Sequence, residues 1–600
     1  MNHICYIYII EYRGIKNVGI SLDARYQYDI KGKILTIQRN KHYIDGLWNE
    51  GVVSLSAIVG TNGAGKTTFL EAMLHMLADG SGEKEVPAII VYEQNGQLFA
   101  YKPNNCDYNI IGAKTSQNND RRNGIPNKDM FYFSSYFRPY KSLHNPGEGE
   151  LAGVYNATDT WKIVNDLQNY SNIDTITKLQ SLQLHLSALE VQDKTRIALM
   201  LVDTELRALL PEEILPRYII ISPNFAGYYN IQEKAQRYET YRALALALPD
   251  FERYKQGELM KFISAYFFNC AAEIGNDPKV ILELHKEWKE SLSGYHERAY
   301  DSLAKIANAH SDKETELNPI LNAIEFLEHR CRYDNNTRVV YIDTTDADGE
   351  SKIREMMHHY SNNIRFTVAH MYDIGYARTT DGYTQLSSGE TDMLKFFSRL
   401  YDAAYVKPIT TANMYTPQLI LVDEAENSYH PEWQRQFVSR LLKILHAIYV
   451  KNKIRYESKV DYSPKKPVKF QVVLTTHSPI LLSDIPRMCI NYLKREHGEV
   501  VVLNHRKETF GANVYDLYKD SFFMENGLVG EYAYEWINAL REEIEHKESF
   551  SDDELEIITK KIEMIGDEVI QRYLLSLLEP KNKPSMVSYY KHKIEELGGE

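Results

Sequence analysis

The sequence predicts an α/β protein: a parallel or mixed sheet flanked by helices, an antiparallel β lobe beside it, and a large helical insertion between the two halves. Three observations carry that prediction. "VSLSAIVG" (53–60), "QLILVDEAE" (418–426) and "KFQVVLTTHSP" (469–479) are nearly continuous apolar runs that end in polar residues. That is the pattern of strands buried on both faces of a parallel sheet. The opening "YIYIIEYRGIKNVGISL" and "GKILTIQRN", together with "AIIVYEQNGQLFAYK" (88–102), read instead as short strands joined by Gly and Asn-Gly turns. From 141 to 370 the apolar spacing is helical, as in "GELMKFISAYFFNCAAEI" and "LNPILNAIEFLEHRC". Prolines and Gly-Asn-Asp breaks interrupt every candidate heptad, which argues against a long coiled coil.

Six hundred residues exceed what a single core organises, so two or three units are expected. With 44% hydrophobic and 25% charged residues the composition is that of an ordinary globular protein. No apolar run approaches the ~18–20 residues of a membrane span. The start, "MNHICYIYII", lacks the basic segment and small-residue cleavage site of a signal peptide, so a cytoplasmic protein without membrane contact is expected. Cys5, Cys106, Cys270, Cys331 and Cys489 are dispersed, with no CxxC and no His cluster beside them, which argues against a disulfide framework or a zinc site. A net charge of −13 argues against a generally basic nucleic-acid coat. A local exception is 451–470, where seven Lys and Arg outnumber Glu457 and Asp461; a solvated loop explains it most simply, and a DNA contact is the alternative.

Along the chain, "VSLSAIVG" leads into "GTNGAGKTT" and then the helical "TTFLEAMLHML"; "MFYFSSYF" (130–137) is a further strand. The expected partition is 1–140, the first half of the α/β head; 141–370, the mainly helical insertion; 371–535, the second half; and 536–600, a helical tail. In the tail, Ser551 and Glu554 have capping-box spacing, with Phe550 in the staple position.

The stretch Gly60–Thr67 fits G-x-x-x-x-G-K-[ST] in full, between a strand and a helix. Its glycines let backbone N–H groups wrap phosphate oxygens at a helix N-terminus. Gly60, Asn62, Gly63, Ala64, Gly65, Lys66, Thr67 and Thr68 are therefore the candidate ATP-binding cradle. Lys66 is expected to reach the β- and γ-phosphates, and the Thr67 hydroxyl to ligate Mg²⁺. Asp423 and Glu424 close a buried strand at the end where such sheets bind ligands. Asp423 suits Mg²⁺ and Glu424 suits polarising the attacking water; a carboxylate pair capping the next helix is the plainer alternative. His477 ends another core strand, and its place after paired threonines suggests a γ-phosphate contact.

"LSSGE" (386–390) lies more than three hundred residues beyond this loop. P-loop, Ser-Gly loop, acidic strand end and His strand end occur in an order that resembles the ABC-type ATPase head. The resemblance implies two heads packed head-to-tail, with Ser388 and Gly389 of one closing the ATP site of the other. A helix starting near Glu390 would then aim its N-terminus at phosphate. It also implies Lys66, Glu424 and His477 as catalytic groups, Thr67 and Asp423 as Mg²⁺ ligands, and slow ATP hydrolysis.

Within that superfamily the insertion is too long for a transporter head and lacks the arm of SMC proteins. "ENSYHPEWQRQFV" (426–438) resembles the continuation found in OLD-like and RecF-like bacterial ATPases. "TFGANVYDLYKDSFFMENGLVGEYA" (509–533) and "IEMIGDEVIQRYL" (562–574) are similar to the C-terminal region of PtuA ATPases of Septu-type anti-phage systems, including retron-associated ones. This implies an HNH-type nuclease partner, and for retron systems an RNA and reverse transcriptase. The usual "DEPE" is "DEAE" here, and no coupling glutamine follows "MFYFSSYF", where Ser134 and Ser135 stand. A Toprim-type carboxylate set is missing beyond the His strand, so an intrinsic nuclease is disfavoured. "RLLKILH" (440–446) reads as a core helix rather than an R-x-H motif. A RecF- or SMC-like DNA-repair clamp and a self-contained nuclease remain the alternatives.

Overall fold

The computed structural model describes residues 2–77, 86–103, 106–115, 129–135, 154–156, 193–223, 286, 301, 304, 314–334, 339–362, 372–380, 386–406, 417–458, 466–503, 507–521, 529–581, 587 and 591. The chain divides into two units, Met1–Leu517 and Tyr518–Glu600.

The first unit is built on a seven-stranded sheet in the order Val154–Asn156, Met130–Ser134, Leu419–Asp423, Phe470–Thr476, Val52–Gly60, Ile490–Glu496, Glu499–Leu503. Every neighbouring pair is parallel except the final hairpin. Leu419–Asp423 and Phe470–Thr476 are buried at every position, as their nearly continuous apolar runs lead one to expect. The register sets Ser134 beside Asp423, Asp423 beside Thr475, and Thr476 beside Val59, so the C-terminal strand ends lie level along one edge.

The antiparallel lobe is a five-stranded sheet around Asn2–Tyr12 and a three-stranded sheet of Tyr26–Lys31, Ile34–Arg39 and Asn109–Ile111. Buried Gln471 stitches the lobe to the parallel sheet. Its amide accepts from the Ile4 N–H at 3.1 Å and donates to the Ile4 carbonyl at 2.6 Å, which satisfies both backbone groups at a point where the Asn2–Tyr12 ladder shifts register.

The described part of 141–370 holds short strands beside its helices. Tyr218–Pro223, Arg332–Asp334 and Val339–Asp343 join Tyr372–Ala377 in a four-stranded antiparallel sheet. "YIIIS" and "VVYID" are short β-branched runs with strand preference. Beside them run helices Glu314–His329 and Gly349–Asn362. The helical stretches at 175–192 and 257–274, and most of 284–309, lie outside the described residues.

Residues 193–213 dock on the head. The Arg399 Nε donates to Asp193 at 2.8 Å, the Arg196 Nε to Asp402 at 3.1 Å, and the Tyr401 hydroxyl to Asp203 at 3.0 Å. Burial pushes the Asp193 carboxyl up, but its bonds to Arg399 and Arg196 outweigh that and hold it below the usual carboxylate range.

The second unit begins earlier than the expected boundary at 536, because helix Glu531–His546 shares a core with Asp552–Glu563 and Glu568–Leu578. The Ser551–Glu554 capping box is formed, and Phe550 packs in the same apolar cluster as Leu555.

Candidate functional site

The site gathers where the level strand ends meet. Strand Val52–Gly60 stops, residues 61–65 turn, and helix Lys66–Leu77 begins. Gly63 and Gly65 take φ of 77° and 92°, a left-handed backbone that side chains disfavour and that turns the loop sharply. Asn62 and Gly63 are exposed, Ala64 is buried, and Thr67 and Thr68 are half-buried. Exposed Arg495, from the neighbouring strand, braces the loop through a 3.0 Å bond from its Nε to the Gly63 carbonyl.

Lys66 turns back under the loop and is only 5% exposed. Its Nζ lies 3.1 Å from the Gly60 carbonyl, 2.7 Å from His477 Nε2 and 3.8 Å from Glu424 Oε1. Burial lowers its pKa from the ordinary lysine value, against the opposing pull of Glu424, Asp423 and Glu426. His477 Nε2 is also 3.1 Å from Glu424 Oε1. One ring nitrogen thus stands between an ammonium and a carboxylate: it can accept from Lys66 or donate to Glu424, and the two demand opposite protonation at that atom.

Asp423 is fully buried and accepts from hydroxyls on three elements. Thr67 Oγ1 is 3.1 Å from each carboxylate oxygen, Ser134 Oγ is 3.2 Å from Oδ2, and Thr475 Oγ1 is 2.6 Å from Oδ1. Glu424 sits at φ 53°, an uncommon conformation for a non-glycine residue, with its N–H on the Thr475 carbonyl at 3.2 Å. That turn aims its side chain at Lys66, and Asn427 donates to its other oxygen at 3.2 Å. The Thr67 hydroxyl beside the Asp423 carboxylate is a hard oxygen pair that fits Mg²⁺, and a glycine-rich loop over a buried lysine fits a phosphate chain.

The Ser-Gly loop lies at the start of helix Ser388–Tyr401. The helix begins two residues before Glu390, because Ser387 is the N-cap and forms a capping box with Glu390. Arg378 bonds both the Glu390 carboxylate and the Glu213 carbonyl, which joins this cap to the 193–213 segment. Ser388 is exposed and Gly389 buried. A Cβ on Gly389 would stand 2.6 Å from the Ser428 carbonyl oxygen, so this glycine permits close approach to the loop after the acidic strand.

Sequence reasoning passed over several neighbours. Arg495, Arg378 and Asn427 carry no local signal, whereas Glu426 stood in plain view within "DEAE". Glu426 is buried and its carboxyl is pushed up to about 7, chiefly by burial. The stretch 451–470 is in part the end of helix Pro431–Ser458, where Lys451 pairs with Asp203 and Glu205, and Lys453 with Glu50. The dispersed cysteines hid one cluster: His3 and Cys5 share a strand face and meet Asp23. The Arg25 guanidinium fills it, 2.6 Å from His3 Nε2 and 2.7 Å from Asp23 Oδ2, so a cation is already seated there.

A phosphate loop, a hydroxyl–carboxylate pair and a glutamate–histidine pair at the edge of a parallel sheet define a P-loop ATPase head. The chain belongs to the AAA ATPase domain family, whose model matches residues 3–482. Among curated proteins it is similar to protein ea59 of Escherichia phage lambda, 26% identical over 141 residues. That match spans 24% of this chain and 21% of the phage protein, about a fifth of the relative's length. Among the described residues, no helix is long and apolar enough to cross a membrane.

Proposed function

We propose that two copies of this chain pack head-to-tail around ATP and Mg²⁺, each completing the other's site, and that the pair restrains or licenses a partner nuclease in bacterial anti-phage defence of the Septu type. The observation that supports the composite site is the exposed Ser388 at the N-terminus of a fourteen-residue helix, while Lys66, Asp423 and Glu424 are buried at the sheet edge. A helix N-terminus with an open hydroxyl suits a phosphate presented by another molecule. In this reading Lys66 binds the β- and γ-phosphates, Thr67 and Asp423 hold Mg²⁺, Glu424 takes the proton of the attacking water, and His477 contacts the γ-phosphate. Bound Mg²⁺ supplies charge neutralisation as the phosphoryl group transfers.

The C-terminal resemblance to PtuA ATPases supports an HNH-type nuclease as the partner, and a retron RNA with its reverse transcriptase as a further one. The DNA-clamp alternative is weakened because Lys451 and Lys453 already pair with carboxylates.

The test is Glu424→Gln, read by single-turnover phosphate release and by molar mass from light scattering, with and without ATP–Mg²⁺. Loss of a general base lowers the rate about a hundredfold or more, and the variant is expected to accumulate as an ATP-bound dimer. Hydrolysis at the wild-type rate refutes the base assignment; a monomer at saturating ATP refutes the sandwich. A small nuclease co-purifying in fixed ratio from the native locus supports the defence reading, and a clean homodimer counts against it.

A further inference from the structure

Behind the Glu424–His477 pair runs a hydrogen-bonded ring made by four side chains. Thr476 Oγ1 donates to the Glu426 carboxylate. The Ser478 N–H donates to Thr476 Oγ1 at 2.9 Å, and the Ser478 hydroxyl donates to Gln434 Oε1 at 2.7 Å. Gln434 Nε2 then donates to the Tyr429 carbonyl at 3.0 Å and to the Glu426 carbonyl at 3.4 Å, which closes the circuit. The bonds run from Ser478 along two branches, through Thr476 to the Glu426 carboxylate and through Gln434 to the Glu426 carbonyl, and the Thr476 hydroxyl both receives and gives one bond, the arrangement in which neighbouring bonds polarise one another.

The ring joins three elements: the loop after the acidic strand, the first turn of helix Pro431–Ser458, and the end of the His strand. Thr476 and Ser478 flank His477 on either side. Glu426 is two residues beyond Glu424. Both partners of the 3.1 Å Glu424–His477 contact therefore stand on backbone that the ring ties together. Its members are buried or half-buried, and none needs to reach the phosphate site itself.

We infer that Gln434, Glu426, Thr476 and Ser478 are positioning residues for ATP hydrolysis, a clamp that fixes His477 against Glu424 through the backbone of both loops. This rests on the roles given to Glu424 and His477 above. Gln434 is the most informative member, because it comes from a separate helix and, among the described residues, bonds to none of the reacting groups. Supporting bonds of this kind, when broken, cost about ten- to a hundredfold in activity.

The experiment is a double-mutant cycle on the full-length chain: wild type, Gln434→Leu, His477→Ala and the double variant. Each is assayed for steady-state ATP hydrolysis, for ATP affinity and for unfolding midpoint. Gln434→Leu is expected to lower kcat about tenfold or more with ATP affinity little changed, and to have no further effect once His477 is alanine. Glu426→Gln keeps an acceptor for Thr476 and is expected to retain most of the rate, whereas Glu426→Ala loses it. Ser478→Ala, which removes one ring bond at the smallest change in shape, covers the case in which Gln434→Leu does not fold.

Unchanged kcat in both Gln434→Leu and Ser478→Ala, with His477→Ala impaired, overturns the clamp alone. A loss that multiplies in full on the His477→Ala background overturns it too, since a ring acting through His477 cannot act without it. Unimpaired His477→Ala instead overturns the role given to His477.

Discussion

Replacing Gly389 by alanine separates two explanations for the same residue. The ABC-type resemblance makes it part of a loop that closes a partner's site, whereas the structure gives it a reason inside its own chain. An added Cβ would lie 2.6 Å from the Ser428 carbonyl oxygen and 3.5 Å from the Trp433 ring. Restoring an ordinary 3.4 Å separation means opening the first contact by about 0.8 Å, between the capped start of helix Ser388–Tyr401 and the turn that follows the acidic strand. Overpacking of that kind costs about 1–3 kcal/mol. The helix propensity of alanine returns up to about 1 kcal/mol, so the expected net loss is about 1–2 kcal/mol. The helix N-terminus is also pushed out of place, and a misplacement approaching an ångström can lower a rate by about a hundredfold. Thermal unfolding and phosphate release on the same preparations read both effects. Exposed Ser388→Ala is the control: its stability is expected to stay within about 0.5 kcal/mol of wild type, so a fall in its hydrolysis reports the composite site alone. An unfolding midpoint for Gly389→Ala at or above wild type, which helix propensity by itself predicts, refutes the close approach.

Two other outcomes test different parts of the molecule. Burial raises the Glu426 carboxyl from 4.5 to about 7, so the folded state favours its neutral form. Its contribution is harmless below pH 4.5, becomes a growing cost as pH rises from 4.5 to about 7, and levels off above that at about 3 kcal/mol, from 1.4 kcal/mol per unit. Glu426→Gln lacks that cost, so its unfolding midpoint should gain on wild type between pH 5 and 8; parallel curves would contradict the buried, neutral carboxyl. In the C-terminal unit, Phe550 is buried beside Leu555 and carries Lys547 over its ring at 5.2 Å. Phe550→Ala should cost about 3 kcal/mol, seen as roughly hundredfold faster amide exchange across 552–578 in the intact chain; unchanged exchange would show that the staple contact bears no load.

What could be read in the sequence depended on whether a signal was local. "LILVDEAE" and "QVVLTTHSP" announce buried parallel strands because each carries its apolar run and its polar end within nine residues. The phosphate loop and the Ser551–Glu554 box are equally self-contained. The start of helix Ser388–Tyr401 was local as well: Ser387 and Glu390 have capping-box spacing, and that pattern places the N-cap at Ser387 directly. The four-stranded sheet of the insertion was harder, since its strands are three to six residues long and lie among helical stretches. Short apolar runs of that length fit either periodicity.

The site's long-range pairs belong to a third class, which no local pattern encodes. Asp423 meets Thr67 and Ser134 across separations of 356 and 289 residues, and Gln434 meets Ser478 across 44. Each pair exists because parallel strands stop level with one another and bring the helices that follow them, Lys66–Leu77 and Pro431–Ser458, to the same edge, and that register is set by packing along the strands' whole length. A slip of one residue between the acidic and His strands would carry Thr475 past Asp423 and reverse which threonine faces which carboxylate. Gln471 opposes such a slip. It lies beside Leu419 at the opposite end of the same pair of strands and is bonded to the backbone of Ile4 in the antiparallel lobe. The lobe therefore bears on the chemistry without touching it: by fixing where the His strand begins, it fixes where His477 ends up.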